Sequence, residues 1–467
     1  MDNRCDRRHF MKIIPRAAMA PYMLRTAGAI TLGIGHSLGQ SRDSLVLADN
    51  PIPNRPIGVA KGLHPGRVVW AHDPAATNWP GPGLGHWWEG DHTRQAAVDG
   101  MMSRVIQGLG GKASDAKAWD ALFRYFNQTR GNGKVGYKKG EKVTIKVNLV
   151  GCIVGWGVDP KSYDLVRDLD YMNTSPQMIL ALLRQLVHEG GVKPHDITVG
   201  DPLSLFPNQY LDSLHREFPT VRYLDHEGGS VHFPRVRAEY SAIPFYWSSR
   251  PLGTTQDYIP VPFAEASYVI NLANLKSHAG AGVTLCAKNH YGSLIRKPPD
   301  KGYYDMHANL PGTVKGAGNY RPLVDLMGHA QTGGKTLLYL IDGLYPGVHP
   351  VEHTPRKWST DPFNGRWAAS LFASQDPVAI DSVAFDFLWA EWNDYPHMSG
   401  ADDYLHEAAL ADHPPSGTFY DPDHAVNTTR LASLGVHEHW NNAQEKQYSR
   451  NLGKGEGIEL VRVGSNG

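Results

Sequence analysis

The sequence predicts an α/β fold with a mixed, mostly parallel sheet, flanking helices and long loop insertions. The first observation behind this prediction is that short apolar runs typical of buried strands alternate with segments of helical periodicity. The second is a strand–helix–strand unit in residues 143–199, the kind of unit that joins parallel strands. The third is length, because 467 residues correspond to one large domain or two of medium size.

Changes in composition divide the chain into four segments. They are an export signal in residues 1–48, an aromatic-rich loop and helical segment in 49–140, an α/β core in 141–390, and a C-terminal extension packed on the core in 391–467. Within the core, the stretch near 203–262 has poor periodicity and many turns, which we interpret as an insertion.

The N-terminus matches the twin-arginine export pattern. Arg7 and Arg8 precede Phe10 and Lys12, and the mildly apolar stretch at 27–38 is too short to span a bilayer. We therefore predict the twin-arginine translocase as a transient partner, a periplasmic or extracellular location, and no integral membrane segment after cleavage. Arginines near the apolar stretch leave cleavage itself open. Export in the folded state favours a bound cofactor, whose identity the sequence leaves unknown.

Four regular segments lead up to the first candidate site residues. They are a strand at 68–70, helices at 98–109 and 119–126, and a strand at 143–149. The last strand alternates apolar and polar side chains, so Lys146 and Asn148 share its polar face. Ser175 followed by Pro176 is typical of a helix start, and a strand at 197–199 completes the unit.

The densest cluster of candidate residues lies in the stretch SYVINLANLKSHAGAGVTLCAKNHYGSL, which begins at residue 267. Its apolar start predicts a buried strand, after which a polar turn carries Lys276 and His278. From Val283 the pattern predicts a helix, with Lys288 and Asn289 just over a turn into it.

Three polar side chains lie at the ends of predicted strands or directly after them. They are Asn148, Asp201 and Asp342, the last following the apolar run 337–341. Carboxyl ends of parallel strands share one edge of a sheet, and ligands of open α/β sheets bind beyond it. If the strands are parallel, these residues reach the same edge as Lys276 and His278.

Side-chain chemistry suggests roles for these residues. The candidates are Lys276, His278, Lys288 and Asn289 for catalysis, Lys146 and Asn148 for cofactor binding, and Asp201 and Asp342 for metal binding. Ammonium groups neutralise an anionic ligand, and an imidazole transfers protons near neutral pH. The two carboxylates with His278 would suit a divalent metal, although no spacing is specific. Alternatively, the Lys and His are loop residues and the aspartates form turns.

Composition narrows the function classes. Lys plus Arg and Asp plus Glu are both 46, so no net field attracts nucleic acid or anionic membranes. Cys152 and Cys286 are the cysteines left after cleavage, too few for a four-cysteine iron–sulfur cluster. They form either a disulfide or two free thiols.

Two histidine pairs invite a zinc interpretation. His437 and His439 do not form the helical HExxH motif, and Pro350 prevents helical pairing of His349 and His353. We expect both pairs to be structural or superficial.

An Asp–Pro pair at 376–377 predicts the start of a further helix, capped by Asp376. The apolar stripe of this helix predicts that Asp381 is half buried and that Asp386 faces solvent.

Several motifs resemble the family called domain of unknown function 362. They are KVTIKVNLVG, TSPQMILALLRQLVHEGG followed by ITVGDP, NLANLKSHAGAGVTLCAKNHYG, and SLFASQDPVAIDSVAFDFL. The resemblance covers roughly residues 142–388 and implies a mixed α/β domain, in many members found beside ferredoxin-like cysteine clusters. This chain departs from those members in its cysteine content, and the family activity is unassigned.

These observations predict an exported enzyme or cofactor-binding protein that acts on a small anionic or polyhydroxylated molecule through a Lys/His/Asp site. The alternative is a non-enzymatic periplasmic ligand-binding or accessory protein, and a third hypothesis is a redox partner with an external cofactor.

Overall fold

The computed structural model describes residues 52–153, 157–166, 170–229, 234–250, 256–295, 306–348, 354–392 and 400–464. All of them belong to one unit, Leu47–Gly467. The export signal and the pair His349 and His353 lie outside the described residues, so both stay predictions. Within the described ranges, no helix has the length and apolar character needed to cross a membrane.

The strands are β1 Ile57–Gly58, β2 Arg67–His72, β3 Val143–Val147, β4 Ile197–Gly200, β5 Arg222–Asp225, β6 Val236–Arg237, β7 Tyr240–Tyr246, β8 Gln256–Pro260, β9 Tyr268–His278, β10 Gly282–Thr284, β11 Thr336–Gly347, β12 Ser370–Ser374, β13 Val436–His437 and β14 Glu459–Gly464. The α-helices are α1 Gln95–Gly110, α2 Asp115–Thr129, α3 Pro176–Arg184, α4 Asn208–Glu217, α5 Val261–Glu265, α6 Cys286–Asn289, α7 Pro322–Gly328, α8 Pro377–Trp392 and α9 Ala401–Ala409.

A central sheet organises these elements. In the described part of the chain its order is β14-β2-β12-β11-β9-β3-β4-β5-β6, and β10 pairs with β9. The run β11-β9-β3-β4-β5-β6 is parallel, whereas β12 is antiparallel to both of its neighbours. The predicted mixed, mostly parallel sheet is therefore confirmed, and the carboxyl ends of β3, β4 and β9 point the same way.

Apolar layers cover both faces of the sheet. Helices α1 to α4 supply the layer on one face and α5 to α9 the layer on the other. Strands of such a sheet are buried on both faces, and all five residues of β3 are buried, the polar Lys146 included. Lys146 is therefore held inside the protein.

The strand–helix–strand unit forms as predicted, with β3 parallel to β4. Ser175 caps α3, and its side chain accepts a hydrogen bond from the backbone N–H of Met178 at 3.1 Å. The stretch near 203–262 contributes α4 and β5 to β8. Strands β5 and β6 extend the central sheet, and β7 and β8 pair with each other.

Three predictions about local structure are wrong. Strand β9 continues to His278, so Lys276 and His278 lie on the strand and not in a turn after it. Val283 lies in β10, which pairs antiparallel with the end of β9, and the helix starts only at Cys286. Similarly, β11 extends to Gly347, which places Asp342 inside the strand. In each case a second strand pairs with the polar segment, a tertiary contact that apolar periodicity does not register.

The structure also shows the positions of the three aspartates of α8 and its cap, and the state of the two cysteines. Asp376 caps the helix, with Oδ1 accepting from the N–H groups of Val378 and Ala379. Asp381 and Asp386 are both buried, so their predicted partial and full exposure is wrong. Cys152 and Cys286 are buried free thiols.

Candidate functional site

Buried polar side chains form a continuous hydrogen-bonded chain at the carboxyl edge of the parallel strands. Asp201 Oδ2 lies 3.0 Å from Lys146 Nζ, which donates to Asn289 Oδ1 at 3.1 Å. Asn148 Nδ2 donates to the same Asn289 oxygen at 3.2 Å. Lys276 Nζ donates to Asn148 Oδ1 at 2.9 Å. We call these five residues, which all come from the predicted set, the lysine network.

Asn148 lies just beyond the end of β3, where it is bonded both to Thr174 before α3 and to Asn289 of α6. These two helices lie on opposite faces of the sheet. The Asn148 backbone N–H donates to Thr174 Oγ1 at 2.8 Å, and its carbonyl accepts from the Thr174 N–H at 2.8 Å. Thr174 precedes the cap of α3, so the start of this helix fixes the amide that joins Lys276 to Asn289.

Lys276 is the second buried cation of the network, beside Lys146. Its side chain is fully buried, and Nζ also donates to the carbonyl of Met172. Burial lowers the pKa of Lys276 well below its usual value, and the positive charges of Lys288 and Lys146 lower it further. Asp201 and Asp342 act in the opposite direction. The amine therefore holds its proton less firmly than a surface lysine does.

Lys146 and Asp201 form a buried ion pair within the network. Burial lowers the pKa of Lys146, and the charge of Asp201 offsets part of that effect. Asp201 also accepts from the N–H groups of Leu149 and Leu203, each at 3.1 Å. A Cβ on Gly292 would lie 2.6 Å from Lys146 Cε and 2.8 Å from Asp201 Oδ1, so the backbone packs directly against the pair.

Asp342 lies beside the network within β11. It accepts from the backbone N–H of Ser175 at 2.8 Å and of Leu344 at 3.0 Å. Burial raises its pKa, an effect that these hydrogen bonds and the charge of Lys276 oppose. The predicted role of Asp201 and Asp342 as metal ligands stays a prediction. Both carboxylates accept hydrogen bonds from backbone N–H groups, and Asp201 also pairs with the Lys146 ammonium.

Half-buried side chains form an outer layer next to the lysine network. Lys288 Nζ lies 4.8 Å from the centre of the Tyr291 ring, a cation–π contact. The Tyr291 ring meets the edge of His307, with centroids 5.5 Å apart, and His307 stacks on His278 at 6.4 Å. Lys288 and His278 thus belong to one aromatic surface, and the charge of Lys288 reaches Lys276.

The hydrogen bonds of His278 define its tautomer. Nδ1 accepts from the backbone N–H of Gly280 at 2.9 Å and of Ala281 at 3.0 Å. A nitrogen that accepts carries no proton, so in the neutral ring the proton is on Nε2. In this conformation His278 can donate a proton from Nε2.

The family comparison covers the region that builds this network. A family model described as "Domain of unknown function (DUF362)" matches residues 143–386, a little over half of the chain. The chain belongs to the DUF362 family. Every residue of the lysine network and of its outer layer lies within the DUF362 match. Among curated proteins, none matches this chain.

Sequence reasoning missed several residues that position the network. Asn271 Oδ1 accepts from Asn289 Nδ2 at 2.8 Å, and Asn274 Oδ1 accepts from Thr174 at 3.1 Å. Both asparagines are buried on β9. The signal that could have revealed them is polar residues inside an apolar strand, because buried amides require hydrogen-bond partners.

Proposed function

We propose that this DUF362 protein binds a small anionic or polyhydroxylated molecule at the outer side of the lysine network and catalyses proton transfer on it. In this proposal Lys276 and Lys288 supply positive potential, and His278 donates a proton from Nε2. Asn148 and Asn289 hold the ammonium groups in place. The negative charges of Asp201 and Asp342 attract the ammonium groups and so help to orient the lysines.

The observation that carries the proposal is the environment of Lys276. A buried amine with a lowered pKa, close to two further lysines, is costly to maintain in a structural core. Perturbed ionisable groups of this kind concentrate at functional sites. A bound anion would favour the ammonium form and offset the repulsion from Lys146 and Lys288. The neutral amine, in turn, can accept a proton.

A matched pair of substitutions tests the proposal. Lys335 is also buried, and burial lowers its pKa to about 8. It precedes β11, at the amino end of the parallel strands, where Nζ donates to the carbonyl of Ala264 at 2.9 Å. Lys276→Met should remove binding of inorganic phosphate and of any co-purified small molecule, measured by native mass spectrometry. Lys335→Met should retain both. Equal binding by wild type and both variants would contradict the proposal.

Retention of a ligand does not distinguish an enzyme from a ligand-binding protein. The rigid hydrogen bonding of Lys146 and Lys276 to fixed amides suits binding alone equally well. A co-purified molecule should be incubated with the protein and its mass followed over time. An enzyme changes that mass and His278→Gln slows the change, whereas a carrier releases the molecule intact.

We propose further that the protein is exported through the twin-arginine pathway. The support is the pattern of Arg7, Arg8, Phe10 and Lys12. Replacing both arginines by lysine should keep the protein in the cytoplasm, as fractionation would show. Unchanged export of the double variant would contradict this assignment.

A further inference from the structure

A second buried polar cluster lies outside the lysine network. His437 ends β13, and His439 pairs with Pro53 in an isolated bridge, so both lie on extended chain. Residues two apart on extended chain point the same way. Asp402 comes from the first turn of α9, and all three residues are no more than 5 % exposed. The pair was expected to be structural or superficial, and its burial contradicts the superficial alternative.

Three ligand atoms converge in this cluster. His437 Nε2 lies 3.1 Å and His439 Nε2 3.0 Å from the same Asp402 oxygen, Oδ1. All three atoms lie within 4.8 Å of one another. In a tetrahedral zinc site with bonds of about 2.0–2.1 Å, neighbouring ligand atoms are about 3.3 Å apart. The spacing of both nitrogens from the carboxylate oxygen therefore matches that of a metal site to within a few tenths of an ångström.

A second layer of hydrogen bonds orients both imidazoles. His439 Nδ1 lies 2.6 Å from Asp386 Oδ1, and a carboxylate accepts, so this nitrogen carries the proton. Ser382 Oγ lies 2.9 Å from His437 Nδ1 and donates its own proton to the carbonyl of Val378 at 2.7 Å. His437 Nδ1 must therefore donate to Ser382.

Asp386 and Asp402 raise the pKa of His439 to about 10 against the effect of burial, so a metal ion must displace a proton from this ring. Once both rings are neutral, each Nε2 presents a lone pair to the carboxylate oxygen. Three electron-pair donors facing one another are stabilised by a cation between them. Carboxylate or hydroxyl partners on the far nitrogen are the usual support of histidine metal ligands. A dication would also balance the two buried carboxylates, Asp386 and Asp402, while both imidazoles stay neutral.

A cavity adjoins the three ligand atoms. Its volume is about 120 Å³, and Arg55 and His406 line it together with the cluster. A cavity of this size has room for several water molecules, by the measure of about 30 Å³ per water in the liquid. Three protein ligands with an open fourth position are typical of catalytic metal sites, whereas structural zinc sites use four protein ligands.

We propose that His437, His439 and Asp402 bind a divalent transition-metal ion of the kind that combines imidazole and carboxylate ligands, Zn²⁺ or Fe²⁺, with an open position toward the cavity. Two histidines and a carboxylate are common to catalytic zinc and to non-haem ferrous sites. The three ligands lie beyond the DUF362 match, which ends at residue 386. The metal site thus belongs to the C-terminal extension, with Asp386 of the family core as its support.

The first test uses untagged full-length protein stripped with a chelator. It is titrated with Zn²⁺ alone, with Fe²⁺ alone under anaerobic conditions, and with Co²⁺, and bound metal is quantified after gel filtration. We expect one equivalent of Zn²⁺ or of Fe²⁺ to bind, with Zn²⁺ the more tightly held as for most such ligand sets, and visible d–d bands for Co²⁺. Absence of a stoichiometric ion together with absence of these bands would overturn the proposal without any variant.

Variants then locate the ion. Ser382→Ala removes the partner of His437 and should weaken binding about 10–100-fold, and Asp402→Asn or His437→Gln should weaken it more. His329→Gln is the control, because His329 is buried and paired with a single carboxylate, Asp423, at 3.3 Å. We expect this control to bind like wild type. Wild-type affinity in both Asp402→Asn and His437→Gln would place the ion elsewhere and refute the assignment.

Discussion

The lysine network and the histidine–aspartate cluster are both buried, yet they concentrate opposite kinds of atoms. The network brings the ammonium groups of Lys146 and Lys276 together, with Lys288 close by. The cluster brings two imidazoles onto one carboxylate oxygen of Asp402. Hydrogen-bond donors and positive charge favour binding of an anion, whereas lone pairs and negative charge favour binding of a cation. The two proposed sites therefore call for ligands of opposite charge.

The two regions also differ in where their residues come from. The network is built within the DUF362 match by four segments, which are the ends of β3, β4 and β9 together with α6. The histidines of the cluster come from a single extended segment of the C-terminal extension. The proposed anion site therefore belongs to the family core, whereas the proposed metal site depends on the C-terminal extension.

Breaking the buried ion pair of the network should have the largest effect on stability. Asp201→Ala leaves the Lys146 ammonium buried without its carboxylate, which should cost about 3–5 kcal/mol in the free energy of unfolding. The matched control is Glu265→Ala, which removes an exposed pair with Lys142 at 2.7 Å and should cost no more than about 1 kcal/mol. Urea unfolding measures both. Equal losses of unfolding free energy in the two variants would show that burying the ion pair does not increase its contribution to stability.

Acidification should destabilise the lysine network region through His290, which lies close enough to Lys146 to be affected by its charge. Burial lowers the pKa of His290 to about 3, and the charge of Lys146 contributes to this lowering. The unfolded chain takes up a proton near pH 6.5 while the folded chain does not, so this histidine removes stability as pH falls from 6.5 toward 3. The loss should reach about 3 kcal/mol at pH 4. His290→Gln should flatten this part of the curve of unfolding free energy against pH, and an unchanged slope would contradict the assignment.

Close packing against the ion pair predicts a smaller effect. The Cβ of Gly292→Ala would press on Lys146 and Asp201, at 2.6 and 2.8 Å from the nearest atoms. We expect a loss of about 1–3 kcal/mol in unfolding free energy, together with weaker phosphate binding. Gly90→Ala is the control, because a Cβ there meets nothing within 4 Å. A Gly292 variant as stable as this control would show that the network tolerates displacement.

The sequence carried the local signals of the fold and of much of the site. The cap at Ser175 and the alternation around Lys146 were enough to predict the strand–helix–strand unit. The positions of Lys276 and Asp342 were predicted less well, because both lie inside strands and polar residues there interrupt the apolar pattern. Their burial depends on pairing among β9, β10 and β11, which is a set of tertiary contacts.

The histidine–aspartate cluster escaped prediction for a different reason. The sequence test was the helical HExxH motif, whereas His437 and His439 are two apart on extended chain. An H-x-H pattern in extended chain could have identified the histidines. It could not have identified Asp402 and Asp386, because helix packing brings these residues to the histidines from distant parts of the chain. Asp386 in particular was expected to face solvent.

The most direct test of two sites with opposite preferences is one native mass spectrometry experiment on three proteins. Wild type, Lys276→Met and His437→Gln would each be titrated with Zn²⁺ and with inorganic phosphate. We predict that Lys276→Met loses phosphate and keeps zinc, and that His437→Gln loses zinc and keeps phosphate. Loss of both ligands in either variant, or of neither ligand in both variants, would contradict the account.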